Sequence, residues 1–220
     1  MPWADPIDIL VAEAAKFVEL SETDLERPVP QYPGWTMAEL AAHTGGILGR
    51  TTLICRDRVT QRPSAPRPGE GEDVLAWFRG QLDEMVDVLR SSDHGAEVWG
   101  FGPKPTIAFW VRRMLIEMGV HRWDAQSAFG SAEPLLNEVA VAGLDEYPEM
   151  WLPRLESEVR TLRLEATDLD RSWVYGEGDA DADVAGTASD LYLRLMSRPS
   201  IVVLPEDWTI AVDGLAPPPR

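Results

Sequence analysis

Thr36-Met37-Ala38-Glu39-Leu40-Ala41-Ala42-His43, continuing through Thr44-Gly45-Gly46-Ile47-Leu48-Gly49, is the stretch whose reading decides the fold. Thr36 with Glu39 three residues later spells a capping box, in which a hydroxyl and a carboxylate each satisfy a backbone N–H left orphaned at a helix start. Trp35 stands where a staple residue would. Beyond the cap, Met37, Leu40, Ala41, Thr44, Ile47 and Leu48 recur at three and four, the period of a helix with one apolar face. Gly45, Gly46 and Gly49 cost helix propensity but admit a close neighbour. His43 falls on the apolar face beside Leu40 and Ile47, where a lone histidine is most often a satisfied core residue.

The same period extends outward. Before this helix, Ile7, Leu10, Val11, Ala14, Phe17 and Val18 form one apolar stripe. Pro28, Pro30 and Pro33 predict an extended connector between the two helices. A Pro-rich loop, 62–71, leads to a third helix whose buried face is Val74, Leu75, Phe78, Leu82, Met85, Val86 and Leu89. A looser stretch, 91–105, precedes a fourth helix over Thr106–Phe129, stopped by Gly130. A shorter helix follows over Leu135–Trp151. Four long amphipathic segments with uneven connections read as a helical bundle. After Pro153 the pattern changes: Leu162, Leu164 and Ala166 alternate with Arg163 and Glu165, which is strand spacing. Trp173–Tyr175, Ile201–Leu204 and Trp208–Val212 are further strand candidates, and Thr187–Ser197 reads as a helix. The expected fold class is therefore α+β, with a helical bundle over 1–152 and a small α+β domain over 153–220. Pro217, Pro218 and Pro219 read as a frayed tail.

Composition bounds the function. The 220 residues carry 20 basic and 37 acidic side chains, a net charge of −17. Nucleic-acid affinity rests on Lys and Arg neutralising phosphates, so no nucleic-acid partner is expected. Apolar residues at 45% suffice for a core. The single cysteine, Cys55, excludes an internal disulfide framework and reads as buried filler beside Leu53 and Ile54. No stretch approaches the ~18 apolar residues of a membrane span, and the first residues lack a basic, then apolar, signal pattern. A cytoplasmic protein is the expectation.

Three histidines limit the chemistry. His121 lies four residues after Glu117, one turn along the same helix face, so the two can reach a common point. An imidazole nitrogen and a carboxylate oxygen are half of a zinc or other divalent site; an ordinary helix pair has the same spacing. If His43 meets them across the bundle interior, His43, Glu117 and His121 leave a fourth tetrahedral position for water or substrate. Asp124, three residues after His121, is placed either to orient that ligand or to pair with Arg113 or Arg122. Arg113 is a candidate for holding an anionic substrate, though surface pairing is the commoner use of such an arginine. His94 sits in a loop without a helical partner and reads as a surface residue. Asp179-Ala180-Asp181-Ala182-Asp183 imitates a calcium loop, but Val184 replaces the required Gly, and an exposed acidic loop is the better reading.

Two stretches carry a family resemblance. Pro33-Gly34-Trp35-Thr36 through Leu40-Ala41-Ala42-His43, and Arg112-Arg113 through Glu117 to His121-Arg122-Trp123-Asp124-Ala125, resemble the two signatures of the mycothiol-dependent maleylpyruvate isomerase family, part of the DinB-like metal-bundle superfamily. The resemblance implies a DinB-like bundle followed by a smaller α+β domain. It implies His43, Glu117 and His121 as metal ligands, usually for zinc, and mycothiol as the thiol co-substrate. It also implies Arg198, with Arg113, as an arginine for the carboxylates of a small unsaturated acid, and a homodimer is in keeping with the superfamily. An S-transferase acting on an electrophile would use the same activated thiol. Two other readings stay open: a zinc-hydroxide hydrolase with Asp124 as base, and a non-enzymatic metal- or ligand-binding module.

Overall fold

The computed structural model describes residues 4–102, 104–155 and 158–215. Seven helices and one three-stranded sheet form among them, an α+β architecture with a helical N-terminal part followed by a small α+β part. Among the described residues the chain divides into two compact units, one up to residue 133 and one from residue 134. No helix among the described residues is long and apolar enough to cross a membrane.

The first unit holds α1 (Pro6–Thr23), α2 (Met37–Asp57), α3 (Val74–Ser91) and α4 (Ile107–Ala128). The capping box forms as read: Thr36 accepts from the Glu39 N–H and Glu39 accepts from the Thr36 N–H. α2 packs most extensively on α3, and α1 on α4. The glycines explain the first contact. A Cβ on Gly45 would stand 2.4 Å from the Trp77 ring of α3, so only a bare backbone allows the approach. The second contact contains a buried ion pair, Arg122 Nε to Glu13 Oε2 at 2.8 Å, with Gln126 also bonded to the guanidinium. α4 is buried on nearly every side, and Gly130 ends it at φ +70°.

The proline-rich connector does more than link α1 to α2. Pro28 pairs with Thr36 in an antiparallel bridge, and the Val29 N–H donates to the Trp35 carbonyl at 2.9 Å. This small closed loop holds Tyr32 and Trp35 stacked at 4.9 Å.

In the second unit, α5 (Asn137–Met150) packs on α6 (Ala188–Leu195). The second compact unit starts at 134 and includes α5, whose buried face is used against α6. Strands β1 (Leu162–Ala166), β2 (Arg171–Tyr175) and β3 (Ala182–Gly186) lie in the order β2-β1-β3. β2 is antiparallel to β1 and β3 parallel to it. The loop between β2 and β3 wraps the start of β1: Thr161 Oγ1 donates to the Glu177 carbonyl and the Asp181 N–H donates to the Thr161 carbonyl. Gly176, at φ +116°, permits this, since a Cβ there would lie 2.7 Å from Thr161 Oγ1.

Three expectations are corrected here. Trp208–Val212 is helical, within α7 (Glu206–Asp213); its buried residues Trp208, Ala211 and Val212 have helix spacing, and Glu206 and Asp207 suit a helix N-terminus. Ile201–Leu204 alternates exposed with buried side chains, yet belongs to no strand. The third strand is β3, which begins inside the stretch read as an acidic loop. Its one charge serves an edge: Asp183 pairs with Arg163 on β1. The tail at Pro217–Pro219 lies outside the described residues.

Candidate functional site

α4 presents Arg113, Glu117, His121 and Asp124 along one buried face. Their spacings of four, four and three place them one turn apart in succession. Arg113 forms a hydrogen-bonded ion pair with Glu117 Oε1. Glu117 Oε2 stands 3.2 Å from His121 Nε2. His121 Nδ1 lies 3.1 Å from Asp124 Oδ2, and the Asp124 side chain is fully buried. Arg113 pairs with Glu117 and Arg122 with Glu13, while Asp124 engages His121.

His43 meets this row from α2. Its ring centroid is 5.7 Å from that of His121, edge-on at 89°. Trp35 covers the other side of His43 at 5.0 Å, and Tyr32 lies 6.1 Å from the His121 ring. These two aromatic walls were not singled out as site residues from sequence; only the connector's closure brings them there.

Electrostatics follow from the packing. Burial acts to raise the Glu117 carboxyl, but Arg113 and His121 hold it well below the usual carboxylate range. Burial acts to lower His121, while Asp124 and Glu117 more than offset this and raise it. Burial lowers His43 to about 4, helped by the neighbouring His121, against the pull of Glu117. One imidazole is therefore kept neutral while the other is embedded between carboxylates.

The donor set fits a divalent cation on two observations. With Nδ1–H given to Asp124, His121 Nε2 is a buried nitrogen without a hydrogen-bond partner. Its 3.2 Å distance from Glu117 Oε2 is close to the ~3.3 Å between two donors on one tetrahedral zinc with bonds of about 2.0–2.1 Å. Asp124 then occupies the place of the carboxylate that fixes a metal-bound imidazole. Against this, no three His, Cys, Asp or Glu side chains among the described residues stand in a complete metal-holding arrangement. Glu117 shares its charge with Arg113, and the His43 ring is edge-on to its neighbour.

The remaining candidates belong to other elements. Arg198 belongs to the second unit, where its Nη1 donates to the Met196 carbonyl at 2.7 Å. His94 is exposed and its Nε2 sits 2.8 Å from the Leu89 carbonyl, a role at the end of α3. Cys55 is buried, and burial pushes its thiol up to about 12, which suits filler and not a nucleophile. Arg50, on α2, was passed over in the sequence; it carries no motif, and its interest lies only in its surroundings.

Fold and site together define a helical-bundle protein with a buried His–Glu–His cluster between two helices. The mycothiol maleylpyruvate isomerase N-terminal domain family matches residues 8–126, more than half of the chain, and the chain belongs to that family. A crystal structure of the mycothiol-dependent maleylpyruvate isomerase shares the fold at a TM-score of 0.68 and 12% identity, over 94% of this chain and 96% of that one. A histidine-to-alanine mutant of the mycothiol-dependent maleylpyruvate isomerase gives 0.70, with the same identity and coverage. No curated protein matches at the level of sequence.

Proposed function

We propose that this protein is a mycothiol-dependent isomerase of a small unsaturated acid, with a divalent cation, zinc first, bound by His43, Glu117 and His121. The observation that carries the reading is the His121 imidazole. Its Nδ1 is held by a fully buried carboxylate, and its other nitrogen is buried without a hydrogen bond beside Glu117 and His43. Membership of the family supports the thiol and the reaction class.

A cation held there supplies the positive charge that stabilises a thiolate at neutral pH. Asp124 keeps the His121 tautomer fixed, so that Nε2 is the donor nitrogen. Arg113 holds the Glu117 carboxylate ionised and in place. His43 stays unprotonated near neutrality and retains its lone pair. Tyr32 and Trp35 cover the two imidazoles and limit water around them. The reaction adds the thiolate sulfur to a conjugated carbon, converting the double bond to a single bond about which the molecule rotates. Elimination then restores the double bond in the trans form and releases the thiol unchanged. Asp124, fully buried and bonded to His121, is a positioning residue; that engagement disfavours its use as the base of a hydrolase.

Metal analysis of the purified protein tests the centre. About one equivalent of zinc is expected, lost in His43→Ala; an unchanged metal content in the variant overturns the ligand assignment. Conversion of a cis unsaturated dicarboxylic acid to its trans isomer only when mycothiol is present tests the reaction. Metal retained with no conversion across a panel of such acids and electrophiles would leave a binding module instead.

A further inference from the structure

Most arginines of the helical unit are matched to carboxylates. Arg113 holds Glu117, Arg122 holds Glu13, Arg56 bridges Asp57 and Glu84, Arg79 reaches Glu22 and Arg90 reaches Asp8. Arg50 is different. It lies seven residues beyond His43 on α2, two turns along the same face. Its side chain is half-buried, and its Nε is enclosed without a hydrogen-bond partner. No carboxylate among the described residues stands within ion-pair distance of it. Glu117 lies within electrostatic reach, but that carboxylate is already engaged by Arg113 and faces His121.

A second cation stands near it. Arg62 is exposed, lies 6.0 Å over the Trp99 ring and repels Arg50. The loop bearing Arg62 returns against α2 beside Arg50: a Cβ on Gly46 would be 2.9 Å from the Pro66 carbonyl oxygen, and one on Gly49 2.5 Å from Pro66 Cγ. Two guanidinium groups thus act on one another, one of them half-buried, in a chain of net charge −17 with acidic residues to spare. Leaving such a cation unpaired is unfavourable unless an anion arrives to complete it.

We infer that Arg50, seconded by Arg62, binds the carboxylate of an anionic substrate beside the His43–Glu117–His121 cluster. A guanidinium takes a carboxylate through two parallel N–H···O bonds, which orients as well as holds it. The assignment differs from the expectation for Arg113, whose guanidinium is committed to Glu117. It rests on the proposed reaction only for what the substrate is, not for the anion site.

Calorimetric titration of the full-length chain with maleate, and with neutral maleamide, tests the site in the absence of thiol. Maleate is expected to bind, and Arg50→Gln to weaken it by about tenfold or more. Arg50→Lys should restore part of the loss, Arg62→Gln should show a smaller one, and the exposed, paired Arg56→Gln none. The thermal midpoint of Arg50→Gln should equal or exceed that of the parent, since an unpaired cation has been removed. Undiminished maleate binding by Arg50→Gln, equal binding of maleamide, or no binding by the parent chain overturns the inference. So does a fall in midpoint accompanying the lost affinity, which assigns Arg50 to structure. Arg50-dependent binding without isomerisation removes the reaction and leaves the site; full isomerisation by Arg50→Gln does the reverse.

Discussion

Asp124 shows how much depends on one buried oxygen. It reaches the proposed cation's surroundings through His121, whose Nδ1 it holds at 3.1 Å. Without it the imidazole can rotate or exchange tautomers, and Nε2 ceases to be the donor nitrogen all the time. Asp124→Ala is therefore expected to lower zinc affinity about 10- to 100-fold, read by competition with a chromogenic chelator. Asp124→Asn should lose less, because its amide oxygen still accepts the Nδ1 proton. Equal affinities for Asp124→Ala and the parent would remove Asp124 from the site. The pairing of Glu117 with His121 was legible from their spacing, whereas the apolar register of His43 alone read as a core histidine and only the family resemblance joined it to them. Arg50 was not legible, since what marks it is a missing partner, and no local pattern records an absence.

At the scale of elements, the helices were legible and the later strands only in part. A cap and a 3.6-residue period are local facts, and α2 begins where Thr36 and Glu39 require. Gly45 illustrates the next level. Its use is to let α2 lie against the Trp77 ring, and a methyl group there would overlap the ring carbons by more than an ångström. Gly45→Ala gains about 1 kcal/mol of helix propensity and loses about 1–3 kcal/mol to overpacking. Net destabilisation of about 0–2 kcal/mol is expected by urea unfolding; a variant more stable than the parent would mean that α3 yields without cost. α7 and β3 were misread for related reasons. Five residues, Trp208–Val212, are too few to separate helix from strand by apolar content alone. β3 is an edge strand of small residues, with Val184 its one larger apolar side chain, so little apolar alternation marks it.

For the whole molecule, proton binding links the site to stability. His43 in the folded chain has a pKa near 4, below the ordinary 6.5, chiefly through burial. Between those values the unfolded chain holds a proton on this residue that the folded chain does not. Stability therefore falls as pH drops from about 6.5 towards 4. His121 has the opposite sign: its raised folded value adds stability that is present below 6.5 and lost as pH rises through that value. In metal-free protein, His43→Gln is expected to flatten the acid side of the stability profile between pH 6.5 and 4, measured by urea midpoints. An unaltered acid side would show that His43 is protonated in the folded chain as readily as in the unfolded one.

The amino-acid order by itself determined the helical bundle, the start of α2, the strand β1 and the placing of Glu117 and His121 one turn apart. Each of these is written in spacings of two, three or four residues and in side chains that cap their own backbone. Tertiary structure decided the closure of the 28–36 connector over the imidazoles, the parallel pairing of β3 on β1, the union of α5 with the second unit and the isolation of Arg50. These depend on which distant segments come together, and burial energy summed over the whole chain, not any local preference, selects among them.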